Sequence, residues 1–532
     1  MKDLKVFVNG MIFTADARMK WADAVVTGND KILFVGSYEK AKEFIDKNTE
    51  IIDLQNRLVL PGFIDAHAHI VMGGEYLLGV DLTQAKSPND FKESLQNFIG
   101  ENRDKWITGG NWNHENYENA VLPHKNWIDE FSKDTPIFVS RMDYHMGLAN
   151  SKALELAGID KNTQDPIGGT IEKDESGQPT GILKDKAMEL VYNVIPEPED
   201  LELERALDSA MNEAMRFGVT SIHDITYKNH LRAFQNYAEK KKLKTRIYTR
   251  LPIQNRNDLI NSEIQYGFGN EWIKIGSMKA FADGSLGSST ALFFNPYTDD
   301  TSLYGLAMDV IQNGNLEKWA LLCDKAKLQL SIHAIGDKAI SQVLDIFEKI
   351  REQNPPWERR FRIEHAQHIA KKDFLRLAEL DAIVSAQPYH LFDDGCWAEK
   401  KIGSERLRNS FAYNSLLNSG VKMCFGSDWP VVTLNPLTGI YAAVTRQTAD
   451  GHNPKGLVPD EKISVEESVK AYTINGAYAA FEENIKGSIS PGKLADMVVL
   501  SENIFEIEPE KIKDVRVVKT ILDGEIIYDN GE

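Results

Sequence analysis

Leu58-Val59-Leu60-Pro61-Gly62-Phe63-Ile64-Asp65-Ala66-His67-Ala68-His69 decides how the chain is read. The apolar run over 58–66 has the composition of a strand buried on both faces, and it runs into two histidines spaced two apart. Side chains alternate along an extended strand, so His67 and His69 face the same way and can bind one ion together. Imidazole and carboxylate suit zinc and neighbouring first-row metals, whereas a closed structural site would show paired thiolates. Cys323, Cys396 and Cys424 occur in no such spacing.

Four further motifs follow in order: Lys279, His333, Glu364-His365 and Gly426-Ser427-Asp428, each at the end of an apolar run. Including the first, eight runs suit buried parallel strands, at 58–66, 219–224, 245–251, 273–281, 328–334, 361–366, 382–387 and 421–427. Amphipathic segments such as 201–217, 316–327, 339–353 and 371–380 separate most of them. The pattern predicts an α/β fold, a (β/α)8 TIM barrel whose active site lies at the C-terminal ends of its strands. The motifs fall at the ends of strands one, four, five, six and eight.

Outside the barrel, short β-rich runs with turns fill both ends of the chain. They predict a small composite β-sandwich domain built from 1–60 and 486–532, leaving 61–485 for the barrel. The interval over about 75–200 is too long for a simple βα connection and should overhang the active-site mouth. Such an insertion serves as a lid or binding element, or is a tolerated surface subdomain.

A net charge of -18 and a pI near 5.3 leave no basic surplus for phosphates, which argues against nucleic-acid or anionic-membrane partners. No run reaches transmembrane length, and polar interruptions in Met1-Lys2-Asp3-Leu4-Lys5-Val6-Phe7 oppose a signal peptide. Three widely spaced cysteines suit a reducing compartment. The expectation is a cytoplasmic protein acting on a small-molecule substrate, with a homodimer left open.

The segment Leu60 to His69 resembles the first-strand signature of the amidohydrolase superfamily, and Gly487-Ser488-Ile489-Ser490-Pro491-Gly492-Lys493-Leu494-Ala495-Asp496 resembles its return into the β-domain. Met278-Lys279-Ala280-Phe281-Ala282-Asp283-Gly284, His333-Ala334-Ile335-Gly336-Asp337, Arg362-Ile363-Glu364-His365-Ala366-Gln367 and Gly426-Ser427-Asp428-Trp429-Pro430 are similar to the amidohydrolase-3 branch, which includes N-substituted formamide deformylases. The resemblance implies two divalent ions, zinc first with manganese or iron as alternatives, bridged by Lys279 carboxylated with carbon dioxide. His67, His69 and Asp428 would hold the more buried ion, and His333 and His365 the more exposed one. A metal-bound hydroxide would then cleave a C-N bond of an amide or N-substituted formamide, with Asp428 passing the proton to the departing amine. Charge counting is consistent with the carbamate. Two ions and one carboxylate total about +3 and would repel an ammonium, whereas a carbamate and a hydroxide bring the cluster to about +1.

The sequence is open to other readings. Lys279 could form an ordinary ion pair with Asp283, leaving a single-metal site. The same binuclear site could hydrolyse esters, lactones or carbamates. Deamination of a heterocycle fits less well, because that branch resembles a mononuclear site with a glutamate spacing that Glu364, adjacent to His365, does not reproduce. A non-catalytic scaffold is opposed by the complete ligand set. For the substrate, His145 and His390 are candidates to hold a carbonyl oxygen or carboxylate, and Trp112 and Trp429 to form pocket walls, each against a packing role. His223, at the end of strand two, is read as satisfying a neighbour, and His124, His230 and His452 as solvated surface.

Overall fold

Eight strands lie side by side in chain order, and each hydrogen-bonded neighbour pair is parallel. They are β1 (Phe63–Ala68), β2 (Val219–Ile225), β3 (Arg246–Pro252), β4 (Ile273–Phe281), β5 (Gln329–Ala334), β6 (Arg362–His365), β7 (Ile383–Ala386) and β8 (Met423–Phe425). The structure is a computed structural model that describes residues 4–101, 106–117 and 120–532. The first three residues of the expected terminal domain, and 102–105 and 118–119 of the expected insertion, lie outside the described residues.

The barrel closes between β1 and the segment after β8. Ala68 bridges Trp429 in parallel, and Asp428 N–H donates to His67 O at 2.6 Å. The buried Asp65 carboxylate accepts from the backbone N–H groups of His67 and Ser427, each at 3.0 Å. A side chain at Gly426 could not fit this seam, because a Cβ there would lie 2.4 Å from His67 N. Helices pack outside on apolar stripes. In Asp200–Arg216, Leu203, Ala206, Leu207, Ala210, Met211 and Ala214 are buried at three- and four-residue spacing, and a Glu199–Glu202 capping box starts the helix.

The first strand departs from the expectation. The run over 58–66 is two strands in two sheets: Leu58–Pro61 pairs with Met497–Leu500 and Met11–Phe13, and β1 starts only at Phe63. Pro61 has no N–H to extend a ladder, and Gly62 lies against Thr220, whose Oγ1 would be 2.2 Å from a Cβ. The chain changes sheets at this dipeptide.

Strands from both ends of the chain form the six-stranded sheet to which Leu58–Pro61 belongs, with Glu525–Asp529, Val517–Leu522, Met497–Leu500, Met11–Phe13 and Trp21–Ala22. A four-stranded sheet of Lys31–Gly36, Ala24–Gly28, Leu4–Val8 and Glu50–Asp53 shares an apolar core with it through Phe7, Val25, Val499 and Ile521. Arg246, at the start of β3, pairs with Asp496 at 2.8 Å and with Asp523, so these sheets hold the barrel end away from the metal-ligand motifs.

Between β1 and β2 lies a third sheet, in the order Gly169–Lys173, Pro179–Asp185, Met146–Ala149, Phe138–Arg141, Gly109–Trp112 and Val80–Asp81. It reaches the C-terminal face of the barrel. Asn111 donates to Pro430 O, and Asp143 accepts from Ser285 and Ser288 in the loop after β4. No helix among the described residues is long and apolar enough to cross a membrane, and Cys323, Cys396 and Cys424 are free.

Candidate metal centre

His67 is the penultimate residue of β1 with almost no exposed surface, and its Nδ1 lies 2.6 Å from the carboxylate of Glu364 on β6. Against the burial penalty, Arg250 at 2.7 Å, Arg362 at 3.0 Å and His67 itself hold Glu364 well below the usual carboxylate range. An ionised carboxylate only accepts, so Nδ1 carries the proton. Burial and the nearby Arg250 push the imidazole pKa well down, keeping it neutral. The Nε2 lone pair is therefore free, 3.3 Å from Asp428 Oδ1, which is the tautomer a metal requires.

Three ligand atoms, one each from His67, His365 and Asp428, lie within 4.8 Å of one another. His365 ends β6 and Asp428 lies three residues beyond the end of β8, both in the left-handed region, with φ of 72° and 67°. Such residues cost on the order of 1–3 kcal/mol each and cluster at functional sites. His69 joins through Nε2, 3.1 Å from Asp428 Oδ1, and His333 through its ring, centred 4.5 Å from that of His365. The tightest group thus draws on both of the expected half-sites, pairing His365 with His67 and Asp428. Burial opposes ionisation of Asp428, yet His67, His69 and His365 hold its pKa well below the ordinary value.

Lys279 is buried on β4, its Nζ without a hydrogen-bond partner and 4.6 Å from the Phe281 ring centre. Burial, reinforced by Arg250, lowers its pKa to about 7. The alternative pairing with Asp283 is not formed. That carboxylate instead accepts from the N–H groups of Leu292 at 2.8 Å, Ile335 at 3.0 Å and Gly336 at 2.9 Å, with His333 Nε2 3.4 Å away. Nε2 of His333 also faces Gly284 O at 3.1 Å, which leaves Nδ1 as its free lone pair. Neutral imidazoles, one ionised carboxylate and an unpartnered amine fit divalent cations as a donor set.

The candidate substrate contacts divide. His145 enters the site from the insertion, its ring 5.3 Å from that of His333 and its Nδ1 fixed 2.6 Å from Asp185. His390 stacks on His365 with ring centres 5.9 Å apart. Trp112, by contrast, is fully buried in the insertion's core and donates to Val139 O, so it forms no pocket wall. Trp429 is also core, its ring lying over Gly73 where a Cβ would approach to 2.2 Å. His223 sits inside the barrel against Arg362 at 2.9 Å. His230 is buried rather than solvated, packed on Tyr227, and burial drops its pKa to about 4.

A sequence model described as the amidohydrolase family matches residues 50–528. The chain belongs to the amidohydrolase family. It is 40% identical over 534 residues to Protein LONG AFTER FAR-RED 3 of Arabidopsis thaliana, covering 98% of this chain and 91% of that one. It is 28% identical over 551 residues to the N-substituted formamide deformylase of Arthrobacter pascens, covering 99% of each. Among solved structures, an uncharacterized metal-dependent hydrolase from Pyrococcus horikoshii superposes with a TM-score of 0.79 at 27% identity, over 95% of this chain and 99% of that one.

Within this amidohydrolase, the residues that sequence reading missed are those that orient the others: Glu364 for His67, Asp283 beside His333 and Asp185 for His145. One signal was available, since a carboxylate inside an apolar strand run, as Glu364 is, must find buried partners. Glu364→Gln should therefore weaken metal binding by about 10- to 100-fold, because the amide no longer enforces the His67 tautomer. Zinc retention against a chelator, read beside the melting temperature, checks this. Unchanged retention in a folded variant would remove the orienting role.

Proposed function

We propose that the chain is a metal-dependent hydrolase of a small-molecule C-N bond, in an amide or N-substituted formamide. The convergence of His67, His365 and Asp428 within 4.8 Å, beside the buried, unpartnered amine of Lys279, carries this reading. The likeness to a formamide deformylase along nearly the whole chain supports the bond type. His67, His69, Lys279, His333, His365 and Asp428 would hold two divalent ions, zinc, manganese or iron. When bound, the ions supply Lewis acidity and bring the pKa of water from about 15.7 toward 7.

The chain's own groups supply the rest. With a pKa near 7, Lys279 is unprotonated in a large fraction at neutral pH. Its nitrogen can add to carbon dioxide, releasing a proton and turning a cation into the anionic ligand a dication pair needs. Asp428 is ionised and points Oδ1 at His67 and His69 and Oδ2 toward His390, 3.9 Å away. It can take a proton from the attacking water and return it to the leaving nitrogen, which an amide requires because an amide anion departs poorly. Against burial, Asp185 at Nδ1 and the nearby Asp143 and Asp283 raise the pKa of His145, so its protonated ring presents Nε2–H, while Gln367 donates to His390 Nδ1 and leaves the proton on Nε2; both can donate to the substrate's carbonyl oxygen or carboxylate.

The test is a panel of N-formyl and N-acyl amines with matched esters, run on chelator-treated and reconstituted enzyme. Amide hydrolysis should vanish with the metal and return with zinc or manganese plus bicarbonate, with elemental analysis giving about two ions per chain. Full activity after complete metal removal would overturn the reading, as would a loaded enzyme that cleaves esters but no C-N bond.

A further inference from the structure

The helix Pro388–Asp394 follows β7 and carries His390, Asp393 and Asp394 at positions i, i+3 and i+4, which share one face. At one end of that face His390 is only 7 % exposed, and its Nε2 has no hydrogen-bond partner. Its Nδ1 is held by Gln367 at 2.9 Å and its Nε2 lies 3.9 Å from Asp428 Oδ2, so the face begins at the metal centre. At the other end, neither Asp393 nor Asp394 accepts a side-chain hydrogen bond or joins an ion pair among the described residues, although both are half-buried. Burial pushes the pKa of both upward. His390 is within electrostatic reach of Asp143, Asp393 of Arg141, and Asp394 of both, so the three side chains lie toward the region of the Arg141–Asp143 pair.

The cations near that region are already engaged. Arg141 pairs with Asp143 at 2.6 Å and donates to Asn113 at 3.0 Å. Lys401 donates to Ser289 at 2.9 Å and lies 3.7 Å from both Glu115 and Asp299. Of these five carboxylates, Asp143, Glu115 and Asp299 lie against the two cations, and Asp393 and Asp394 are left with none among the described residues. Buried carboxylates are ordinarily paired, so this arrangement needs a proton or a cation from outside.

We propose that the substrate carries an ammonium or guanidinium group, which Asp393 and Asp394 bind while its scissile bond lies beside His390 and Asp428. This rests on the C-N hydrolase reading above and names the substrate class. Both cationic groups bring several N–H donors to the two acceptors. Residues 390 and 394 are separated by about 6 Å along the helix axis, the reach of a chain of four or five atoms. N-formyl-1,4-diaminobutane and its neutral counterpart N-formylpentylamine are matched probes of that length.

The metal-loaded enzyme should favour the cationic formamide in kcat/KM by about tenfold or more, the effect of one charge-assisted hydrogen bond. The Asp393→Asn/Asp394→Asn double variant should bring the ratio near one. Calorimetry with 1,4-diaminobutane should show binding to the holoenzyme that the double variant loses. If the double variant does not fold, the single variants Asp393→Asn and Asp394→Asn are read in the same way. Hydrolysis of both formamides without preference overturns the cation pocket and leaves the C-N reading intact. Diamine binding that depends on the two carboxylates, with no hydrolysis of these formamides or of any N-acyl amine in the panel above, keeps the pocket and overturns the C-N reading. Absence of diamine binding, or a preference that survives in the variants, overturns the proposal.

Discussion

Lys279→Ala is expected to strip metal from the centre and to lower turnover by about 100-fold or more, beyond the loss caused by removing an orienting partner. Lys279 lies fully inside the structure, its amine has no hydrogen-bond partner, and its charge bears on His67, His69, His333 and His365 alike. A lysine with only a structural role would be paired, and the nearest candidate, Asp283, is occupied by three backbone N–H groups. The proposed role is therefore that of an anion made in place. Such an anion is replaceable. Acetate or propionate, added with zinc, should enter the space left by the side chain and restore part of both metal content and rate. In the wild type, reloading with bicarbonate should become faster as pH rises through about 7, where the amine loses its proton. Elemental analysis beside kcat decides the matter, since a variant with full metal and full turnover would reduce Lys279 to packing.

The barrel was legible because parallel strands buried on both faces read as continuous apolar runs, and each run found its strand to within a few residues. The same physics misled at 58–66. Leu58–Pro61 and β1 are equally buried, so hydropathy shows no boundary where the chain changes sheets at Gly62. The metal-ligand motifs were legible because residue type and strand position coincide. The residues that orient those side chains were not. Glu364 lies 297 positions from His67, and Asp185 lies 40 from His145, so only the folded chain makes them partners. Trp112 and His230 show the remaining gap, because composition does not distinguish a ring that lines a pocket from one that fills a core. The surplus of Asp393 and Asp394 became visible only when the cations around them were seen to be engaged elsewhere.

Asp428→Asn should hurt catalysis far more than substrate binding, with a loss of roughly 100-fold or more in kcat on amides. Asparagine suits this test for two reasons. It tolerates the left-handed backbone that Asp428 occupies at φ 67°, and its carbonyl oxygen can still face His67 and His69 as Oδ1 does at 3.3 and 3.1 Å. What it loses is the capacity to hold a proton taken from water and give it to a leaving group. An amide needs that proton on departure, whereas an ester with a good leaving group needs little. With metal content measured and unchanged, the variant should therefore lose much more activity on amides than on activated esters, and the ratio of the two losses measures the proton transfer. Equal losses on both substrates would assign Asp428 to metal binding or to activation of water, and the proton-transfer role would be withdrawn.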